Sequence, residues 1–282
     1  MRKINFDNVK ERIQLIKMVA LDLDGTLLTS DKTISKTNEA VLKRIHEAGI
    51  KVVLCTGRPI NAIWRFIEQL GLTEAGDYTI TFNGALVVHN NDKQELAKSG
   101  MKKAALVPLH NFVEAQQAPL DVLDFQQVYP LTDLKPSMYK QQFKGNIDFV
   151  PKSFDELAVS DAYSKAVVCD QPELLDQYQA NIDEQLKRDY HIVRSQPQIM
   201  EFLAPQMDKV VGLKALLDHF DMDFSNLMAF GDAENDLGMI THAKIGVVME
   251  NGQEPVKQAG DVVTGNNDED GVAQYVREYF KG

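Results

Sequence analysis

The sequence predicts an α/β fold, a mostly parallel sheet flanked by helices and interrupted by an α+β insertion. Three observations carry that prediction. Strand-length apolar runs alternate with helical periodicity near both ends of the chain, the middle loses this alternation, and 282 residues exceed what a single core usually holds. The expected division is a core built from residues 1–86 and 195–282 with an inserted domain over 87–194.

Composition narrows the function. Hydrophobic content of 44% and charged content of 25% are those of an ordinary soluble globular chain. The 41 acidic against 30 basic residues give a net charge of −11, which argues against nucleic acid or an anionic membrane as partner. Any phosphate must therefore be held locally. Cys55 and Cys169 stand far apart without a metal-ligand pattern, so core thiols in a reducing, cytoplasmic setting are expected. The basic start, Met1 to Asp7, is followed by no long apolar stretch, so neither a signal peptide nor a membrane anchor is expected. A monomer or weak homo-oligomer is the expected state.

Residues 1–16 read as a short helical or extended lead, with Val9, Ile13 and Ile16 spaced for one face. Met18 to Leu21 is then a buried strand, ending in Asp22-Leu23-Asp24-Gly25-Thr26. Two carboxylates on alternate positions of an extended chain point the same way and repel unless a cation or phosphoryl group lies between them. Gly25 lets the backbone turn sharply and approach a ligand. A strand ending in a plain polar turn has the same form. A calcium loop is excluded, because the alternate acidic positions and the closing Glu are missing.

Ser35 is placed to cap a helix carrying Val41, Leu42, Ile45 and Ala48 and ending at Gly49. Lys51 to Cys55 is a second strand, running into Thr56-Gly57-Arg58-Pro59, with Pro59 suited to the first turn of the helix through Trp64, Phe66, Ile67 and Leu70. A hydroxyl and a glycine amide between strand end and helix start favour an anion, although an ordinary βα turn looks alike. Tyr78 to Phe82 is the third strand, closed by Asn83-Gly84, which is equally a hairpin signal.

The insertion reads as a turn near Asn90 to Asp92, a helix near 102–117, and short strands among Pro119, Pro130, Pro136 and Pro151. A strand at Lys165 to Cys169, one amphipathic helix from Pro172 to Arg188 and a strand at His191 to Arg194 follow. Regular βα order is expected to return with Ile199 to Leu203. Lys209 then opens a helix, where a cation opposes the helix dipole and so points to a carboxylate or phosphate partner, unless it is simply solvated. Leu227 to Phe230 leads into Gly231-Asp232-Ala233-Glu234-Asn235-Asp236, repeating the design of the first strand. Asp236 lies one helical turn from Asp232, so both can face one site, and helix capping by Asp232 is the alternative. After a strand over Lys244 to Val248, the loop Asn266 to Gly271 looks like a calcium loop, but Arg277 occupies its twelfth position.

In this order the stretches resemble the haloacid dehalogenase superfamily, and within it the Cof-type sugar phosphatases with an α+β (C2B-type) cap, from about Lys17 onward. The resemblance implies a Rossmann-like core with an inserted cap that closes over the site and selects substrates, and a Mg²⁺-dependent hydrolase of small phosphate monoesters, sugar phosphates foremost. Phosphate ester cleavage needs a nucleophile, neutralised phosphoryl oxygens and a proton for the leaving alkoxide. Asp22 can attack phosphorus to form an aspartyl phosphate, and Asp24 can protonate the leaving oxygen, which requires its proton affinity to be raised. An oxygen-rich, imidazole-free setting suits Mg²⁺.

By resemblance the metal ligands are Asp22, the Asp24 carbonyl and Asp232, with Asp236 close behind. Thr56, Gly57 and Lys209 hold the phosphoryl group, Asn235 orients Lys209 or touches phosphate, and Arg58, Asn83 and Gly84 lie where the family binds substrate. Three departures are a longer amino terminus, Val210 where Gly commonly follows the Lys, and Glu250 where Gly often precedes Asn251. A phosphomutase of the same superfamily is the competing activity, and a sugar-phosphate-binding protein without catalysis is the third reading. Intact Asp22 and Asp24 argue against the latter.

Overall fold

Buried residues on both faces of a strand require cover on both sides, and β1 (Met18–Leu21) shows how the chain meets that demand. Val19 and Leu21 belong to one apolar cluster, while Met18 and Ala20 belong to another. The computed structural model describes residues 15–142, 147–205 and 207–280. The expected positions of Val9 and Ile13 lie outside these residues, whereas Ile16 is fully buried.

After β1 come α1 (Lys36–Glu47), β2 (Lys51–Cys55), α2 (Ile60–Leu70), β3 (Tyr78–Thr81), β4 (Leu86–His89) and β5 (Glu95–Lys98). Ser35 caps α1 by accepting from the Asn38 amide at 3.0 Å, as its position predicted. Pro59 is the residue before α2 rather than inside it, with extended backbone at φ −68° and ψ 153°. The chain then forms α3 (Lys103–Ala115), β6 (Asp121–Leu123), β7 (Gln127–Pro130), α4 (Tyr139–Gln142), β8 (Asp148–Phe149) and β9 (Lys165–Cys169). It continues through α5 (Pro172–Ala180), α6 (Glu184–Asp189), β10 (His191–Gln196) and β11 (Ile199–Leu203). The last part holds α7 (Lys209–His219), β12 (Leu227–Gly231), α8 (Leu237–His242), β13 (Ile245–Val248), α9 (Glu254–Ala259), β14 (Val262–Val263) and α10 (Gly271–Tyr279).

Two compact units result, one of residues up to Ala97 with Asp208 onward, the other Lys98–Met207. The first contains an eight-stranded sheet in the order β14-β13-β12-β1-β2-β3-β4-β5. Its strands from β14 to β3 are parallel, and β4 turns back antiparallel to β3. β1 lies in the middle, paired with β12 and β2, so the ends of these three neighbours bring their loops to one edge.

The second unit has a six-stranded sheet in the order β10-β11-β9-β6-β7-β8. One face packs a cluster that includes Leu109, Leu175, Leu186 and Phe202; the other holds Leu123, Tyr139, Val167 and Cys169. Lys165 and Glu201 form a buried ion pair at 2.9 Å on neighbouring strands.

Three sequence expectations need correction. β11 does not restart the core, because it pairs antiparallel with β10 and β9, and β4 and β5 extend the core sheet instead of opening the insertion. The unit boundaries therefore fall at 97/98 and 207/208 instead of 86/87 and 194/195. The expected single helix from Pro172 to Arg188 is two, because Asp183 accepts from the Leu186 amide at 2.8 Å and caps a new start.

Candidate active site

Strand pairing puts the end of β1 beside the end of β12: the Asp22 amide donates to the Phe230 carbonyl at 3.0 Å. The chain then turns at Gly25, whose φ of +81° suits glycine, and a Cβ there would lie 2.5 Å from Asp232 Oδ2. Thr26 Oγ1 donates to Asp232 Oδ1 at 2.8 Å, so the two acidic turns are joined directly.

Lys209 is the first residue of α7 and is wholly buried. Its ammonium donates to Asp22 Oδ1 and, at 2.7 Å, to Asp236 Oδ1. The helix start reaches this depth because Gly84, at φ +98°, leaves room where any Cβ would strike the Asp208 carbonyl. Asp208 caps α7 by accepting from the Val210 amide at 2.6 Å. The amide at the position where the family commonly has Gly is thus satisfied within the helix start. Glu250, the other substituted glycine position, is exposed.

Asp236 has a double duty. Its second oxygen accepts from the amides of Asp232 at 2.9 Å and Ala233 at 3.1 Å, so Asp236 does the capping that the sequence offered to Asp232. Asn235 is half-buried and makes no side-chain hydrogen bond among the described residues; Asp22 and Asp236, not Asn235, orient Lys209.

The electrostatics follow from crowding. Burial pushes the Asp22 carboxyl well above its usual range, Lys209 opposes this, and Asp236 and Asp232 reinforce it. Asp232 is pushed up to about 6 by burial, then by Asp236. Burial works against the Lys209 charge, but Asp22 and Asp236 outweigh it and hold the ammonium protonated. Oxygens of Asp22, Asp232 and Asp236 lie within 4.8 Å of one another. Three carboxylates against one ammonium leave two negative charges, which a divalent cation would balance, and an all-oxygen donor set fits such an ion.

Asp24 departs from the expectation. Its side chain is turned to Arg58, with Nε 2.7 Å from Oδ2 and Nη2 2.5 Å from Oδ1, and to Lys32 Nζ at 2.9 Å. Burial alone would raise its proton affinity, yet the Lys32 hydrogen bond and the Arg58 charge outweigh burial and lower it. Lys32 lies in a polar loop that carries no sequence signal; its backbone is left-handed, φ 58°, and its Nζ reaches Asp24.

Thr56 and Asn83 meet at the next strand ends. The Asn83 amide donates to the Thr56 carbonyl at 3.0 Å, and Thr56 Oγ1 accepts from the Arg58 amide at 3.2 Å. A Cβ on Gly57 would lie 2.9 Å from Asn83 Oδ1, so glycine is needed for this approach. Asn83 Oδ1 is buried without a hydrogen-bond partner among the described residues. Asn83-Gly84 also makes the reversal from β3 to β4, as the hairpin reading of that dipeptide expects.

The family model for haloacid dehalogenase-like hydrolases matches residues 19–276. A 5-amino-6-(5-phospho-D-ribitylamino)uracil phosphatase of Bacillus subtilis is 31% identical over 286 residues, covering 93% of this chain and 97% of that one. Among solved structures, a haloacid dehalogenase-like hydrolase from Bacteroides thetaiotaomicron is similar with a TM-score of 0.80 at 30% identity, covering 94% and 100% of the two chains. A subclass IIB sugar phosphatase is similar with a TM-score of 0.77 at 25% identity, covering 93% and 98%. Among the described residues no helix is long and apolar enough to cross a membrane, and Cys55 and Cys169 are free and buried.

Proposed function

Because the chain belongs to the haloacid dehalogenase-like hydrolase family, we propose that it is a Mg²⁺-dependent phosphatase of small phosphate monoesters, sugar phosphates foremost, working through an aspartyl phosphate. The observation that carries this reading is the Lys209 ammonium seated between Asp22 and Asp236, with Asp232 alongside. A binding protein has no use for a buried, cation-activated carboxylate. Two similar proteins are named for phosphorylated ribityl or sugar substrates, which supports the substrate class.

Asp22 attacks phosphorus and becomes an acyl phosphate, which divides one hard displacement into two easier ones. Lys209 opposes the protonation that burial favours at Asp22 and meets the negative charge of the transferred group. Asp22, Asp232 and the Asp24 carbonyl, with Asp236 beside them, would hold Mg²⁺, which would supply further charge neutralisation. Thr56 and the Gly57 amide hold phosphoryl oxygens at the turn between β2 and α2. Arg58 exchanges Asp24 for the incoming phosphate; Asp24, released, takes a proton from solvent water and passes it to the leaving alkoxide. The same carboxylate, ionised again beside Arg58 and Lys32, deprotonates the water that opens the acyl phosphate.

The test is a phosphate-release screen of the purified chain over hexose and pentose phosphates, nucleotides, flavin mononucleotide and pyridoxal phosphate with Mg²⁺. Free phosphate as the product supports hydrolysis. An isomerised ester in its place would establish a mutase and overturn the proposal.

A further inference from the structure

We propose that Asn251 is a positioning residue that sets the spacing between the two acidic turns, and hence the affinity for the divalent cation. The inference rests on the metal-dependent reading above and adds a residue to it.

The two turns come from opposite ends of the chain, and the strand pairing between β1 and β12 stops before their carboxylates begin. The Thr26–Asp232 bond joins the turns at one point, and a second tie outside the sheet fixes their separation. The segment from Met249 to Gln253 is bonded to both. On one side the Met249 amide donates to the Gly231 carbonyl at 3.1 Å, and the Gln253 amide donates to the Asp232 carbonyl at 2.8 Å. On the other side Asn251 Nδ2 donates to the Gly25 carbonyl at 2.7 Å.

Asn251 is itself held in place. Its Oδ1 accepts from the Asn267 amide at 3.0 Å, which assigns the amide orientation, and buried Asn267 donates through Nδ2 to the Leu28 carbonyl at 2.8 Å. The loop that looked like a calcium site therefore has another use. Farther out its Asp268 accepts from the Ser30 amide at 2.7 Å and from Ser30 Oγ at 2.6 Å. Among the described residues, the Asn251 side chain links a segment bonded to Asp232 with the carbonyl of the glycine that Asp232 packs against. Groups that hold metal-bearing residues in register commonly change metal affinity by about 10–100-fold when removed.

The experiment measures Mg²⁺ binding to the full-length, metal-stripped protein by titration calorimetry, together with its melting temperature. Asn251→Ala removes both bonds, whereas Asn251→Asp keeps the acceptor for Asn267 and sets an oxygen against the Gly25 carbonyl. Both variants are expected to bind Mg²⁺ at least about tenfold more weakly than wild type, while melting within a few degrees of it. The exposed neighbour Glu250→Gln is expected to bind as wild type does. If the alanine variant does not fold, the aspartate variant decides. Wild-type affinity in a folded Asn251 variant overturns this proposal alone; a wild-type protein that binds no Mg²⁺ overturns the metal reading and this proposal with it.

Discussion

Arg58 grips the Asp24 carboxylate with two parallel bonds, one from Nε and one from Nη2, at 2.7 Å and 2.5 Å. Such a fork is stronger and more directional than a single contact. With Lys32 it holds the proton affinity of the carboxylate below its usual range, against the effect of burial.

Arg58→Lys is expected to lower kcat/KM by roughly 10–100-fold, because an ammonium cannot reproduce two parallel bonds to either carboxylate or phosphate. The loss should be larger for an alkyl phosphate than for p-nitrophenyl phosphate, whose leaving group needs little protonation. Steady-state kinetics with both esters decide it. Equal losses would show that Arg58 acts on phosphate alone.

Asp22→Asn is expected to reduce turnover by roughly 10⁴-fold or more, as loss of a nucleophile does elsewhere. The fold should survive, since the amide keeps the shape and one of three crowded carboxylates loses its charge. Phosphate release and circular dichroism of the pure variant are the checks. Sustained multiple turnover would remove Asp22 from the mechanism.

Asp232 gives a pH dependence opposite to that of an ordinary ion-paired carboxylate. Its folded-state value of about 6 lies above the unfolded 3.8, so the contribution is fully present below the unfolded value and is lost as pH rises through about 6. The predicted loss in the metal-free protein is ~3 kcal/mol across that window. Chelated wild-type protein should therefore lose stability relative to Asp232→Asn between those limits. Melting curves of both proteins over that range test it; parallel curves would contradict it.

Exhaustive chelation is expected to abolish activity and added Mg²⁺ to restore it. Ca²⁺ should inhibit, because it accepts more ligands at longer distance and can occupy both oxygens of Asp22. Rates measured after chelation, then with each ion, provide the check. An undiminished chelated rate would end the metal assignment.

Replacing residues 98–207 with the equivalent unit of a relative is expected to change which small phosphate is preferred while leaving the requirement for Asp22. The reason is that every reactive side chain assigned above lies in the other unit, so the inserted one is free to specialise. Ester screens of the folded chimaera are the measurement. Unchanged preference in an active chimaera would place specificity in the core.

Much of the site was legible because strand ends announce themselves. An apolar run buried on both faces can only stop where polar groups begin, so the sequence alone places Asp22, Thr56, Asn83 and Asp232 at strand ends on one sheet edge. Insertion strands were less readable. The apolar run of β11, Ile-Met-Glu-Phe-Leu, has the form of a core strand, and only its partners β9 and β10 tell it apart. The break between α5 and α6 rests on one cap, Asp183, inside a pattern that otherwise continues.

By itself the sequence determined the α/β class, the order of the acidic and anion-binding turns, and the residue types that make phosphoryl transfer the fitting chemistry. Tertiary structure decided who pairs with whom. Lys209 meets Asp22 across 187 residues, Asp236 caps the Asp232 turn while binding Lys209, and Arg58 and Lys32 bond the Asp24 carboxylate and lower its proton affinity. The physical reason is that periodicity reports only which face a residue occupies. Which charge lies within 3 Å of it depends on strand register and on close approaches such as that of Gly84 to Asp208, and neither is encoded in any local window.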